Sequence, residues 1–201
     1  MCFALDFKAG LSGILGWVVA VVFLFGGAGC KTSASKTTEE YMLTSADAEA
    51  AAARMAALLP GAIGPFAAQG PATSSVYLPE AKIRAERKYT SGARTLTVEL
   101  KTGNIQAEHR IIDQDDAHAF MSDSPTYWRT VQIKGRRGRV AENRGAAASS
   151  MIYVRAGERV AVRLIVAPQS KTGEAEELAR ALDFDAIDVA GLEVPIASKR
   201  K

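Results

Sequence analysis

Between residues 82 and 166 the chain alternates apolar and polar side chains repeatedly, and this period of two constrains the fold more than any other feature. Leu96, Val98 and Leu100 alternate with Thr95, Thr97, Glu99 and Lys101. Successive side chains of a strand point to opposite faces, so each such run makes one apolar and one polar face. Residues 82–89 alternate in the same way. Residues 129–134 and 139–143 flank a turn read at Gly135-Arg136-Arg137-Gly138, and residues 151–154 and 159–166 flank Ala156-Gly157. After Thr102-Gly103-Asn104, Ile105, Ala107, His109 and Ile111 alternate with Gln106, Glu108 and Arg110, which predicts one more strand. The run RVAVRLIVA (159–167) is the most apolar and is expected at the centre of the sheet.

Three stretches read as helices. Thr44-Ser45-Ala46-Asp47 resembles a capping box and leads into an alanine-rich run to Leu59, stopped by Pro60-Gly61. Asp113 is placed to cap a short helix through Met121, with Asp115 and Asp116 in its first turn. Thr172 is placed to cap a third, in which Ala175, Leu178, Ala179 and Leu182 share one face. The expected fold is α+β: an antiparallel sheet of about six or seven strands in hairpins, with two or three helices packed on one face. Both cysteines, Cys2 and Cys30, precede residue 31, so no disulfide framework or thiolate metal site is available later in the chain. One domain at 45–195 must be held by its core, and ~150 residues bury roughly two-thirds of the unfolded surface.

The first 29 residues have a different character. Lys8 and the amino terminus supply positive charge, residues 11–28 are apolar or small, and Gly26-Gly27-Ala28-Gly29 lead to Cys30. That order is the order of a secretory signal. Gly27-Ala28-Gly29-Cys30 resembles the lipobox of bacterial lipoproteins, with glycine where the family usually carries leucine. The resemblance implies diacylglycerol on the Cys30 sulfur, cleavage before Cys30 and acylation of the new amine. Several acyl chains give stable anchoring where one does not. On this reading residues 1–29 are a lipoprotein signal peptide, 30–44 a flexible Ser/Thr-rich tether, and 196–201 a basic tail. Lys31 in place of aspartate implies, by the same resemblance, the outer membrane, with the domain facing the periplasm. Two alternatives stay open: an uncleaved single-pass helix over residues 11–28, and simple secretion. The order of elements from 45 to 195, with LLPGAIGPF, RAERKYTSG and FDAIDVAGL, is loosely similar to Mog1/PsbP-like envelope domains. That likeness carries no functional residue.

The search for chemistry returns little. A net charge of +3, from 25 basic and 22 acidic residues, is too even for a nucleic-acid binder. Ser33-Ala34-Ser35-Lys36 matches S-x-x-K but lies in the tether, where nothing desolvates the lysine. The two histidines, His109 and His118, bracket Asp113, Asp115 and Asp116. A strand-to-helix corner there is the one place for an envelope hydrolase or metal-dependent enzyme, and surface histidines beside capping acids are the simpler reading. Lys134, Arg136, Arg137 and Arg139 cluster at the expected hairpin turn and are candidates for contact with an anionic membrane surface. Trp128 is expected as an anchor in the core, and residues 143–150 as a mobile loop. The expectation is a lipid-anchored envelope protein without cofactor or metal. It has a non-catalytic binding or structural role, and its partners are the membrane, through the lipid, and an envelope protein or lipid.

Overall fold

The computed structural model describes residues 45–78, 82–114, 126–143 and 148–194. The signal segment, Cys30, the tether, His118, Asp115, Asp116 and the basic tail lie outside the described residues. Among the described residues, nine strands form one antiparallel sheet and there are four helices.

The chain opens with α1 (Ser45–Ala57). Ala48, Ala51, Ala52 and Met55 fall at i, i+3, i+4 and i+7 and are buried, so a stripe of small side chains lets the helix lie close to the sheet. Three short strands follow: β1 (Ala62–Ile63), β2 (Phe66–Ala68) and β3 (Thr73–Tyr77). Next come β4 (Lys82–Ser91), β5 (Arg94–Thr102) and α2 (Gln106–Asp113), then β6 (Thr126–Ile133), β7 (Arg136–Asn143), β8 (Ser149–Arg155) and β9 (Val160–Ala167). Two short helices, α3 (Glu174–Ala179) and α4 (Phe184–Leu192), close the fold. The sheet order is β1-β2-β4-β5-β9-β8-β7-β6, with β3 also paired to β4. The apolar run at 159–167 is therefore central, between β5 and β8, as expected. The sheet has more strands than the six or seven predicted. The extra ones, β1 to β3, have two, three and five residues, too short or too polar to show a period.

One face of the sheet carries the core. Leu96, Val98 and Leu100 of β5, Val162, Leu164 and Val166 of β9, and Ile152 and Val154 of β8 pack there with Met55, Leu178, Phe184 and Ile187 from α1, α3 and α4. The fourth helix departs from the prediction. Residues 105–111 form most of α2 rather than a strand, and α2 lies on the opposite face, against β7 and β8. Ile105 at its N-cap and Glu108 and Ile112 within it are buried, a spacing of three and four that a short window of period two conceals. A strand here would also have lacked a place, because both edges of β5 are taken, by β4 and β9. Asp113 thus ends a helix instead of starting one, and the predicted residues 115–121 lie outside the described residues.

Three further boundaries shifted for local reasons. The register Ile133↔Arg136 leaves a two-residue turn at Lys134-Gly135, not at 135–138. Both residues have positive φ, 50° and 76°, as a type I′ turn matched to the strand twist requires. The helix after residue 171 is capped at Gly173, not Thr172, and it breaks at Arg180. The Asp183 side chain then accepts from the Ala186 amide (3.0 Å) and starts α4, which the sequence had not announced. Residues 143 and 149–150, expected in a loop, belong to β7 and β8.

Candidate functional site

The face opposite the core is where the sheet presents chemistry. Antiparallel register sets Glu86, Glu99, Arg163, Tyr153, Arg139 and Thr130 directly opposite one another across β4, β5, β9, β8, β7 and β6. The row one pairing step away reads Lys88, Thr97, Ile165, Met151, Ala141 and Trp128. The fold therefore lays a charged and aromatic ladder beside a partly exposed apolar one.

Electrostatics organise the first row. Glu99 is 1% exposed, although it stands on the polar face of its strand. Its carboxylate meets Arg163 Nε at 2.5 Å, Lys101 Nζ at 3.8 Å and the Arg84 guanidinium. Arg84 also reaches Glu86, so one cation lies between two carboxylates that would otherwise face each other and repel. Lys101 continues the chain to Glu108 of α2 at 2.9 Å. Burial works against the Arg163 cation, yet its bonds to Glu99 and Tyr153 outweigh that and hold its guanidinium above the usual range. Burial likewise pushes the Glu108 carboxyl up, but the bonds from Lys101 and its own amide bring it below the ordinary carboxylate range.

At the other end, Arg139 is 2% exposed, with its guanidinium carbon 5.5 Å from the Trp128 ring centroid. Trp128 thus stacks on a buried cation on the open face and does not anchor the core. Arg139 donates to the Gln114 carbonyl, and Arg137 donates from Nε to the Ile112 carbonyl at 3.1 Å. Together they satisfy carbonyls that α2 leaves orphaned at its C-terminus, where cations are favoured by the helix dipole.

The four basic residues predicted at the turn therefore separate. Lys134 Nζ donates to the Leu182 carbonyl (2.9 Å). Arg136 turns to the core side and pairs with Asp185 (2.6 Å) and Asp188 (3.5 Å). Arg137 and Arg139 turn to the opposite side and clamp α2. The cause is the turn position: with 134–135 as the bend, residues 136–139 are strand, and alternation divides them between faces. Arg139, at its burial, presents no surface to a membrane.

His109 sits on α2 and is half-buried, beside Gln106, Arg110 and Asp113 along an open groove of about 410 Å³. Burial, and then the Arg155 charge, lower its pKa below the ordinary 6.5, with Asp113 and Glu108 partly offsetting them. His118 lies outside the described residues, and among those described no three histidine, aspartate or glutamate side chains converge to hold a metal. The lowered pKa has a consequence for stability. The unfolded histidine takes up its proton at higher pH than the folded one, so stability is full above 6.5 and falls as pH drops below it. In urea denaturation, the full chain is expected to lose midpoint between pH 7.5 and 5.5, and His109→Gln to lose clearly less. Equal losses would remove His109 as the cause.

Comparison with protein-family models, curated proteins and solved structures returned no match to the chain. No helix among the described residues is long and apolar enough to cross a membrane. Sequence reasoning missed Glu99, Arg163 and Tyr153 as a group. Each stands on an alternating strand, and only the register across three strands brings them into one row.

Proposed function

We propose that this chain is a lipid-anchored cell-envelope protein, held at the membrane through Cys30, with a non-catalytic binding role exerted by the sheet face opposite the core. The observation that carries the binding reading is the partly exposed row of Ile165, Met151 and Trp128 on that face, set side by side by strand register. Beneath it the buried Glu99 and Arg139 are locked by ion pairs and stacking and hold the strands that present it. A pre-positioned apolar and aromatic surface suits recognition of another envelope component at low ordering cost. The anchor reading rests on Gly27-Ala28-Gly29-Cys30 and the polar tether behind it. An outer-membrane address, with the domain in the periplasm, goes with Lys31.

Metabolic labelling with a palmitate analogue tests the anchor. Wild type is expected to carry label and Cys30→Ala to carry none and leave the membrane fraction. Label that persists in Cys30→Ala overturns the anchor. An unlabelled variant that stays in the membrane marks residues 11–28 as an uncleaved helix instead.

A further inference from the structure

On the core side of the sheet, away from the charged row, α1 and α4 enclose a groove of about 680 Å³. Its floor is apolar: Ala57 of α1, Leu58 just after it, and Ala186, Val189 and Ala190 from α4. Val189 is 56% exposed and Leu192, at the same helix end, 58%. Charge is unevenly spread along the rim. Arg54 and Glu193 face each other at one end (3.9 Å). Asp183 and Asp185 stand at the other, with Asp188 close behind; Arg136 pairs with Asp185 and Asp188, and the Lys134 ammonium sits on the neighbouring Leu182 carbonyl, two cations against three acids. Asp185 is still 93% exposed. The groove thus offers an apolar floor with surplus acid at one end.

The chain supplies a segment of matching pattern at the opposite end. Glu193 lines the groove, and Val194 behind it is buried, with its carbonyl accepting from Arg159 at 3.0 Å. The exit point of the next residues is therefore fixed. Those residues are Pro195-Ile196-Ala197-Ser198-Lys199-Arg200-Lys201. Pro195, with no amide hydrogen to donate, disfavours continuing α4. The chain then offers one large apolar side chain, Ile196, and three consecutive cations.

We propose that residues 195–201 dock in cis along this groove, antiparallel to α4. Ile196 covers the Val189 floor, and Lys199, Arg200 and Lys201 lie against Asp183 and Asp185. The lengths agree. Back along α4 from Glu193, Asp185 and Asp183 lie ~12 and ~15 Å away at 1.5 Å per residue. The six residues from Glu193 to Lys199 reach ~20 Å when extended, which leaves slack for a turn at Pro195. The segment lays apolar surface on apolar surface and cations on acids, and the opposite chain direction would achieve neither.

Disulfide trapping in the full chain tests this. Ala57→Cys with Ile196→Cys is expected to give an intrachain 57–196 disulfide, identified by peptide mapping, at least tenfold faster than a control pair. The control joins Thr97→Cys, on the opposite sheet face, to Ile196→Cys. Reversing Lys199, Arg200 and Lys201 to glutamate is expected to slow trapping several-fold, and so is raised salt. Equal trapping in both pairs, or no response to charge reversal, overturns the proposal. So does a link formed only between chains, which would assign the groove to a second copy. As an independent measurement, amide exchange in α4 is expected to be slower in the full chain than in one ending at Val194. Unchanged exchange overturns the docking even where trapping is seen.

Discussion

Glu99→Ala is expected to destabilise the fold by about 3 kcal/mol, the lower end of what breaking a buried ion pair costs. The carboxylate is buried under Arg163, Arg84 and Lys101, and its removal leaves their positive charges crowded on one face. The low end applies because Arg84 and Arg163 are partly exposed and recover some hydration. Glu86→Ala, one step outward in the same row and sharing Arg84, is expected to cost under about 1 kcal/mol, as for an exposed pair. The pair Glu99→Leu with Arg163→Leu discriminates further. It removes the buried charge together with its closest partner, and apolar replacement of a buried pair is often neutral. The double variant should therefore lie well above Glu99→Ala in urea midpoint. A double variant as unstable as the sum of its singles would mean that the row is not held by this pair.

Gly191→Leu is the second large effect, at about 3 kcal/mol, the upper end for overpacking a core. Gly191 is buried in α4 against β9, and a Cβ there would stand 1.9 Å from Val160 Cγ2. Neither side can yield easily, since Val160 is β-branched and itself buried in β9. For Gly191→Ala the same clash is set against the gain of about 1 kcal/mol from helix propensity, so its cost should be smaller. Val160→Ala in the Gly191→Ala background should return most of the lost stability, although Val160→Ala alone is destabilising. If the two substitutions merely add, the close approach is not what requires glycine.

These residues also show where sequence reading stops. The long strands β4, β5 and β9 were legible because one of their faces is buried and the other is not, and a period of two survives over eight to ten residues. α1 was legible from its alanine stripe and the following Pro60. α2 was not, because Ile105 and His109 fit both a period of two and an i, i+4 spacing over so short a window. The predicted closing helix ended early, as α3, and α4 was not read because its start rests on the single cap at Asp183. In the candidate site, Trp128 and the basic residues stood out by type, yet their places were misread. A one-residue change in the turn decides which face each side chain joins.

Local chemistry alone determined that residues 45–195, which carry no cysteine, make an antiparallel α+β domain. That follows from patterns within a few neighbouring residues. Only the tertiary structure decided that Glu99, Arg163, Tyr153 and Arg139 stand in one row, that Arg137 and Arg139 clamp a helix end, and that Gly191 must admit Val160. Each of these depends on residues tens of positions apart, brought together by strand register and helix packing, which no local pattern records.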